Sequence, residues 1–112
     1  MKNKHFAEEV FRYVLQVPDR EFAALTIKML AERFGVSRCH LSRTFHSERK
    51  MTLATFIHRQ KLLRAERQLL QDRSLTVKDL SSRMGYADYQ YFISRFKAQW
   101  GESPGRYRKL IG

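Results

Sequence analysis

Little in this sequence staples or punctuates the chain. Its one cysteine, Cys39, cannot form an internal disulfide, which removes the staple of small secreted domains and points to a reducing compartment, the cytoplasm. Prolines are two, Pro18 and Pro104, and the internal glycines Gly35, Gly85, Gly101 and Gly105 fall between segments of helical spacing rather than between alternating strands. Acid is scarce, with 11 Asp and Glu against 22 Lys and Arg. No run approaches the roughly 18 apolar residues of a membrane-spanning helix, and Met1-Lys2-Asn3-Lys4-His5 lacks the apolar stretch of a signal peptide. A disulfide scaffold and a membrane partner are therefore not expected, and 112 residues exclude a large two-domain enzyme.

What is present is a foldable, basic, helical pattern. Hydrophobic residues make 43% of the chain and charged residues 29%, a globular mixture. The net charge of +11 calls for a polyanionic partner, nucleic acid first. Residues 1–25 hold four bases and four acids, so the excess lies beyond them: six bases against two acids in 26–50, five against two in 51–75, seven against three in 76–112. The anion-facing surface is expected to be extended, not one patch.

The first segment, with Phe6, Val10, Phe11, Val14 and Leu15 at helical steps and Glu8 and Glu9 in its first turn, predicts an amphipathic helix over about 5–16, broken at Val17-Pro18-Asp19. Beyond it the chain repeats itself. Thr26-Ile27-Lys28-Met29-Leu30 matches Thr76-Val77-Lys78-Asp79-Leu80, and Arg33 and Gly35 recur as Arg83 and Gly85, at an offset of 50. The apolar pair Leu41 and Phe45 recurs as Phe92 and Phe96 at an offset of 51, which implies one extra residue in the second turn. Each copy reads as a Thr-capped helix, a Gly stop and a second helix starting near Ser37 or Asp88: a helix-turn-helix, twice.

Between the copies, Leu53 to Gln71 contains no Gly or Pro and predicts one long helix. Its apolar stripe changes face: Leu53, Phe56 and Ile57 cluster on one side, Leu62, Ala65 and Leu69 nearly opposite. Its first half is thus expected to pack on the first copy and its second half on the second. The expected organisation is an all-α chain of about seven helices, with a first subdomain at 1–51, a connector at 52–71 and a second subdomain at 72–112. The connector spans roughly 28 Å, against roughly 34 Å for one turn of DNA, so two recognition helices in successive major-groove segments of one duplex are expected.

With Leu41 and Phe45 inward, the outer arc of the first recognition helix is Cys39, Ser42, Arg43 and His46. Arg43 has the planar fork that pairs with guanine O6 and N7. With Phe92 and Phe96 inward, the second presents Gln90, Ser94 and Lys97, flanked by Tyr89, Tyr91, Ile93 and Arg95. Gln90, in the first turn, suits adenine. Base reading is assigned to Cys39, Ser42, Arg43, His46, Tyr89, Gln90 and Ser94. Arg38, Arg49, Lys50, Tyr91, Arg95 and Lys97 suit phosphates, as do the helix starts at Thr26, Thr76 and Ser103 to Gly105 with Arg106. For Tyr89 and Tyr91, packing across the turn stands beside these roles, as mere solvent exposure does for Cys39. The spacing of Cys39, His40 and His46 matches no zinc pattern, so neither metal nor cofactor is expected. Phe45, Phe92, Phe96 and Trp100, four residues apart in the second copy, read as core and not as a base-stacking platform. No nucleophile, base and orienting group stand together, so catalysis is not expected.

The segment Val77 to Arg108 resembles the C-terminal signature of the AraC/XylS family of bacterial transcription regulators, through Val77, Leu80, Gly85-Tyr86, Phe92, Ser94-Arg95-Phe96-Lys97, Gly101, Ser103-Pro104 and Tyr107-Arg108. The first copy is similar through Leu30-Ala31, Ser37, His40-Leu41-Ser42-Arg43 and Phe45, so the resemblance covers about 5–110. Four positions depart from it: Ser81 for the frequent Ala, Lys50-Met51 where a Gly usually follows the first recognition helix, Lys61 for the connector's usual Arg, and Gln90 where Ser or Thr is common. The resemblance implies seven helices in two helix-turn-helix subdomains and sequence-specific binding of double-stranded DNA for transcription regulation, with RNA polymerase as a further partner. It also implies a separate sensing or dimerising domain, so the chain reads either as a small standalone regulator or as the DNA-binding part of a longer one. From charge alone, a nonspecific architectural or RNA-binding module is the alternative.

Overall fold

Thr26 and Thr76, equivalent points of the repeat, each start a helix in the same way. Thr26 Oγ1 accepts the Met29 N–H at 3.1 Å and Thr76 Oγ1 accepts the Asp79 N–H at 3.0 Å. Each satisfies one of the orphan donors of a first turn. The ends match too. Val36 N–H reaches back to Ala31 O and Tyr86 N–H to Ser81 O, both at 3.0 Å, the long closing bond of a left-handed helix stop. Gly35, with φ 68, supplies that left-handed residue at no steric cost. The second copy carries its extra residue in the turn after Gly85, so the next helix is capped by Asp88 where the first copy uses Ser37.

The computed structural model describes residues 6–111; the expected helix start at residue 5 lies outside them. Along these residues run α1 (Phe6–Gln16), α2 (Asp19–Phe22), α3 (Ile27–Phe34), α4 (Arg38–Arg49), α5 (Leu53–Gln71), α6 (Val77–Arg83), α7 (Tyr89–Trp100) and α8 (Pro104–Ile111), with no strand among them. One helix more is present than the seven expected. Pro18, with φ −61, breaks the first helix and starts a single turn, α2, whose Phe22 is fully buried. Proline's fixed φ and missing N–H suit that place. None of the helices among the described residues is long and apolar enough to cross a membrane.

The chain forms two compact units that meet inside α5, one ending at His58 and the other starting at Arg59. The first unit is built on Phe6, Val10 and Val14 of α1, Phe22, Leu30 and Ala31 of α3, Leu41 and Phe45 of α4, and Leu53, Phe56 and Ile57 of α5. The second holds Leu62, Ala65 and Leu69 of α5, then Leu75, Leu80, Met84, Phe92 and Phe96, with Tyr86, Trp100 and Tyr107 packed against them. The change of apolar face along α5 is therefore the change from one core to the other. Burial on this scale, at about 25 cal/mol per Å² of apolar surface, is what holds helices too short to persist alone.

In the second unit α8 is tied to the end of α5. Pro104 opens α8, and Tyr107 donates its phenolic hydrogen to Glu66 Oε2 at 2.8 Å. Arg108 turns back, donating from Nε to Leu69 O at 3.0 Å and from Nη2 to Asp72 O at 3.1 Å. A guanidinium thus covers carbonyls that a helix C-terminus leaves unpaired and meets the negative end of its dipole.

Candidate nucleic-acid interface

Helix α4 starts where Ser37 Oγ accepts the His40 N–H at 3.0 Å. That cap sets the rotation of the helix, and the burial of Leu41 and Phe45 fixes it. The opposite face then presents Cys39, Arg43 and His46 to solvent, with Ser42 half-buried on its edge. Arg38 at the start and Arg49 and Lys50 at the end are exposed. His40 does not join them, since its ring lies 5.9 Å from Phe6 on the core side. Among the described residues no three His, Cys, Asp or Glu side chains converge as a metal site would require.

Helix α7 repeats the construction with a carboxylate. Asp88 accepts the N–H groups of Gln90 at 2.9 Å and Tyr91 at 3.3 Å, and Phe92 and Phe96 are fully buried. Gln90, Ser94 and Lys97 share the exposed face, with Arg95 and Tyr91 on one flank. Tyr89 and Ile93 are half-buried. Tyr91 is 52% exposed although its ring lies 6.2 Å from Tyr86, so it packs across the turn while half of its surface stays exposed. Phe45, Phe92 and Phe96 are core, as their spacing indicates, and Trp100 is half-buried against Phe96 and Tyr107.

The helix starts differ in what they offer an anion. The hydroxyls of Thr26 and Thr76 are engaged as caps. Helix α3 carries no acid in its first turn, whereas α6 carries Asp79 there, so the positive end of α3 is the better one for a phosphate. At the start of α8, Ser103 is half-buried, Gly105 is exposed, and the exposed Arg106 pairs with Glu102 at 3.0 Å.

Other ionisable groups of the second unit serve the scaffold. Burial lowers the Lys61 ammonium, which sits 5.3 Å from the Tyr86 ring centre, and burial raises the Tyr86 phenol. The Ser74 hydroxyl leads the hydrogen bonds that hold the Asp72 carboxyl low.

Sequence reasoning did not find two cation placements. Arg49 lies over the ring of Phe11 of α1, its Cζ 3.8 Å from the ring centre, and Arg33 lies over Tyr13 at 4.3 Å. Their signal in the sequence is a pair of aromatics, Phe11 and Tyr13, on opposite flanks of the buried stripe of α1.

The family model described as a helix-turn-helix domain matches residues 30–110. The xylose operon regulatory protein of Escherichia coli is 33% identical over 86 residues, covering 77% of this chain and 22% of that protein. The C-terminal domain of AraT, a response regulator from Geobacillus stearothermophilus, aligns with a TM-score of 0.78 and 26% identity, over 93% of this chain and 84% of that one. The DNA-binding domain of AdpA, solved in complex with a target DNA, aligns with a TM-score of 0.76 and 25% identity, over 93% and 90%. The chain spans less than a third of the length of the first curated relatives it matches. These relatives and neighbours are transcription regulators and DNA-binding domains, not enzymes. With its duplicated, capped helix pairs and this match across most of its length, the chain belongs to the helix-turn-helix family of AraC/XylS-type DNA-binding domains.

Proposed function

We propose that the chain reads a specific double-stranded DNA site for transcription regulation with α4 and α7, each entering one of two successive major-groove segments. One observation carries this reading. In both copies a side-chain cap and a buried apolar pair turn the same arc of the second helix outward, and that arc holds Arg43 in one copy and Gln90 in the other. Arginine's fork suits guanine and glutamine's amide suits adenine. Cys39, Ser42, His46, Tyr89 and Ser94 complete the base-reading set, with Ser42 and Tyr89 at its edges. Thr26, Arg38, Arg49, Lys50, Thr76, Tyr91, Arg95, Lys97, Ser103, Gly105 and Arg106 form the phosphate-contacting set, which fixes register without reading sequence.

RNA polymerase is the protein partner this role implies, and a sensing or dimerising domain is a further one in a longer regulator. The role places the protein with the DNA in the cytoplasm and requires no cofactor. The competing reading, a nonspecific architectural module, draws on the net charge of +11. Selection of bound sequences from a random duplex pool, followed by footprinting on the selected site, separates the two. A defined site with two protected major-groove segments supports the proposal. No enrichment, or protection of a single segment, overturns it.

A further inference from the structure

We infer that Phe11 is a positioning residue for DNA binding, its ring holding the Arg49 guanidinium at the exit of α4 in a pose suited to a backbone phosphate. The inference rests on the DNA-binding reading above. Arg49 Cζ lies 3.8 Å from the centre of the Phe11 ring. That ring is stacked on Phe56 at 4.8 Å and 20°, and Phe56 lies 5.5 Å from Phe45 of α4. Phe45 and Phe56 are both buried, 1% and 4% exposed. The exposed arginine is therefore linked through Phe11 to a run of ring contacts, Phe11 to Phe56 to Phe45, that ends in the core of its own unit.

A guanidinium stacked by its face keeps its N–H donors in the plane of the group, where the ring does not occupy them. An unstacked arginine must lose rotamer freedom when it meets a phosphate, and this one has lost part of that freedom beforehand. The arrangement belongs to the first copy alone. At the equivalent point 51 residues on stands Trp100, packed against Phe96 and Tyr107. Helix α1, moreover, lies outside residues 30–110 that the family model matches, so a helix beyond the duplicated motif prepares one of the motif's cations.

The test measures affinity of the 112-residue chain for its selected duplex and for a random duplex across a salt series. Arg49→Ala is expected to weaken both duplexes alike and to lower the salt slope by about one. Phe11→Met, which keeps the apolar volume without the flat face, is expected to weaken both by about two- to fivefold. It should add nothing in the Arg49→Ala background, and Phe11→Tyr should bind as the unmutated chain does. Arg49→Lys, a surface change that leaves the core intact, should keep the salt slope and lose affinity. The side-chain proton resonances of Arg49 should show a ring-current shift that persists in Phe11→Tyr and vanishes in Phe11→Met. Binding by Phe11→Met equal to that of the unmutated chain, or losses that add in the double variant, would overturn the inference while leaving the DNA reading intact. An unmutated chain that binds neither duplex would overturn both.

Discussion

Lys50 and Gly101 occupy the same point of the two copies, 51 residues apart, and both leave their recognition helix with a left-handed backbone, φ 60 and φ 88. Each closes the helix with the same backbone bond, Lys50 N–H to His46 O at 2.9 Å and Gly101 N–H to Lys97 O at 2.7 Å. Glycine adopts that conformation freely, whereas a residue with a Cβ is strained there by roughly 1–2 kcal/mol. Lys50 keeps an exposed ammonium at the end of α4 despite that strain.

Lys50→Gly is accordingly expected to stabilise the first unit by about 0.5–1 kcal/mol, the strain relieved less the extra chain entropy of glycine. The same variant should bind DNA more weakly and with a shallower salt dependence, because the phosphate contact proposed for Lys50 would be lost. Urea unfolding and salt-titrated binding check the two halves. A variant no more stable than the unmutated chain would show that no strain is held at Lys50.

Ser81 lies at the point of the second copy that Ala31 fills in the first, and it is 2% exposed. Its Oγ is buried with no hydrogen-bond partner. Removing a buried, unsatisfied hydroxyl spares its desolvation penalty, so Ser81→Ala should stabilise the second unit by about 1 kcal/mol. The midpoint of urea unfolding should rise with its slope unchanged. A fall in the midpoint would mean that the hydroxyl is satisfied in solution.

Tyr107→Phe should destabilise the second unit by about 1 kcal/mol, by removing the bond to Glu66 while keeping the ring against Phe96 and Trp100. The pH dependence has a definite sign. Burial, and then Glu66, raise the Tyr107 phenol above its ordinary value of 10.0, so the unfolded chain ionises first. This contribution is whole below pH 10.0 and is lost as pH rises from there through the folded-state value. Stability measured between neutral and alkaline pH should fall more steeply in the unmutated chain than in Tyr107→Phe. Parallel curves would count against the assignment.

The parts of the fold that the sequence discloses are those set by neighbours along the chain. Thr26, Ser37, Thr76 and Asp88 act on donors two or three residues ahead, and Leu41, Phe45, Phe92 and Phe96 follow one helical turn, so spacing alone reveals them. The stripe change in α5 is legible for the same reason. The single turn α2 is too short to show a period. Arg108 meets Leu69 and Asp72 across 39 and 36 residues, and Tyr107 meets Glu66 across 41. Contacts of that kind leave no periodic trace. The stack of Arg49 on Phe11 is hidden likewise, and so is the burial of Arg64, a charged residue 5% exposed in the middle of a helix rich in bases.

The most direct test of the account is the affinity for the selected site, divided by the affinity for random duplex, in Arg43→Ala, Gln90→Ala and Arg106→Ala at one salt concentration. Loss of either base-reading side chain should cost about 1–3 kcal/mol on the selected site and little on random duplex, so the ratio collapses, whereas Arg106→Ala should weaken both alike and leave the ratio standing. A ratio unmoved by Arg43→Ala and Gln90→Ala would contradict the assignment of α4 and α7 as the reading helices.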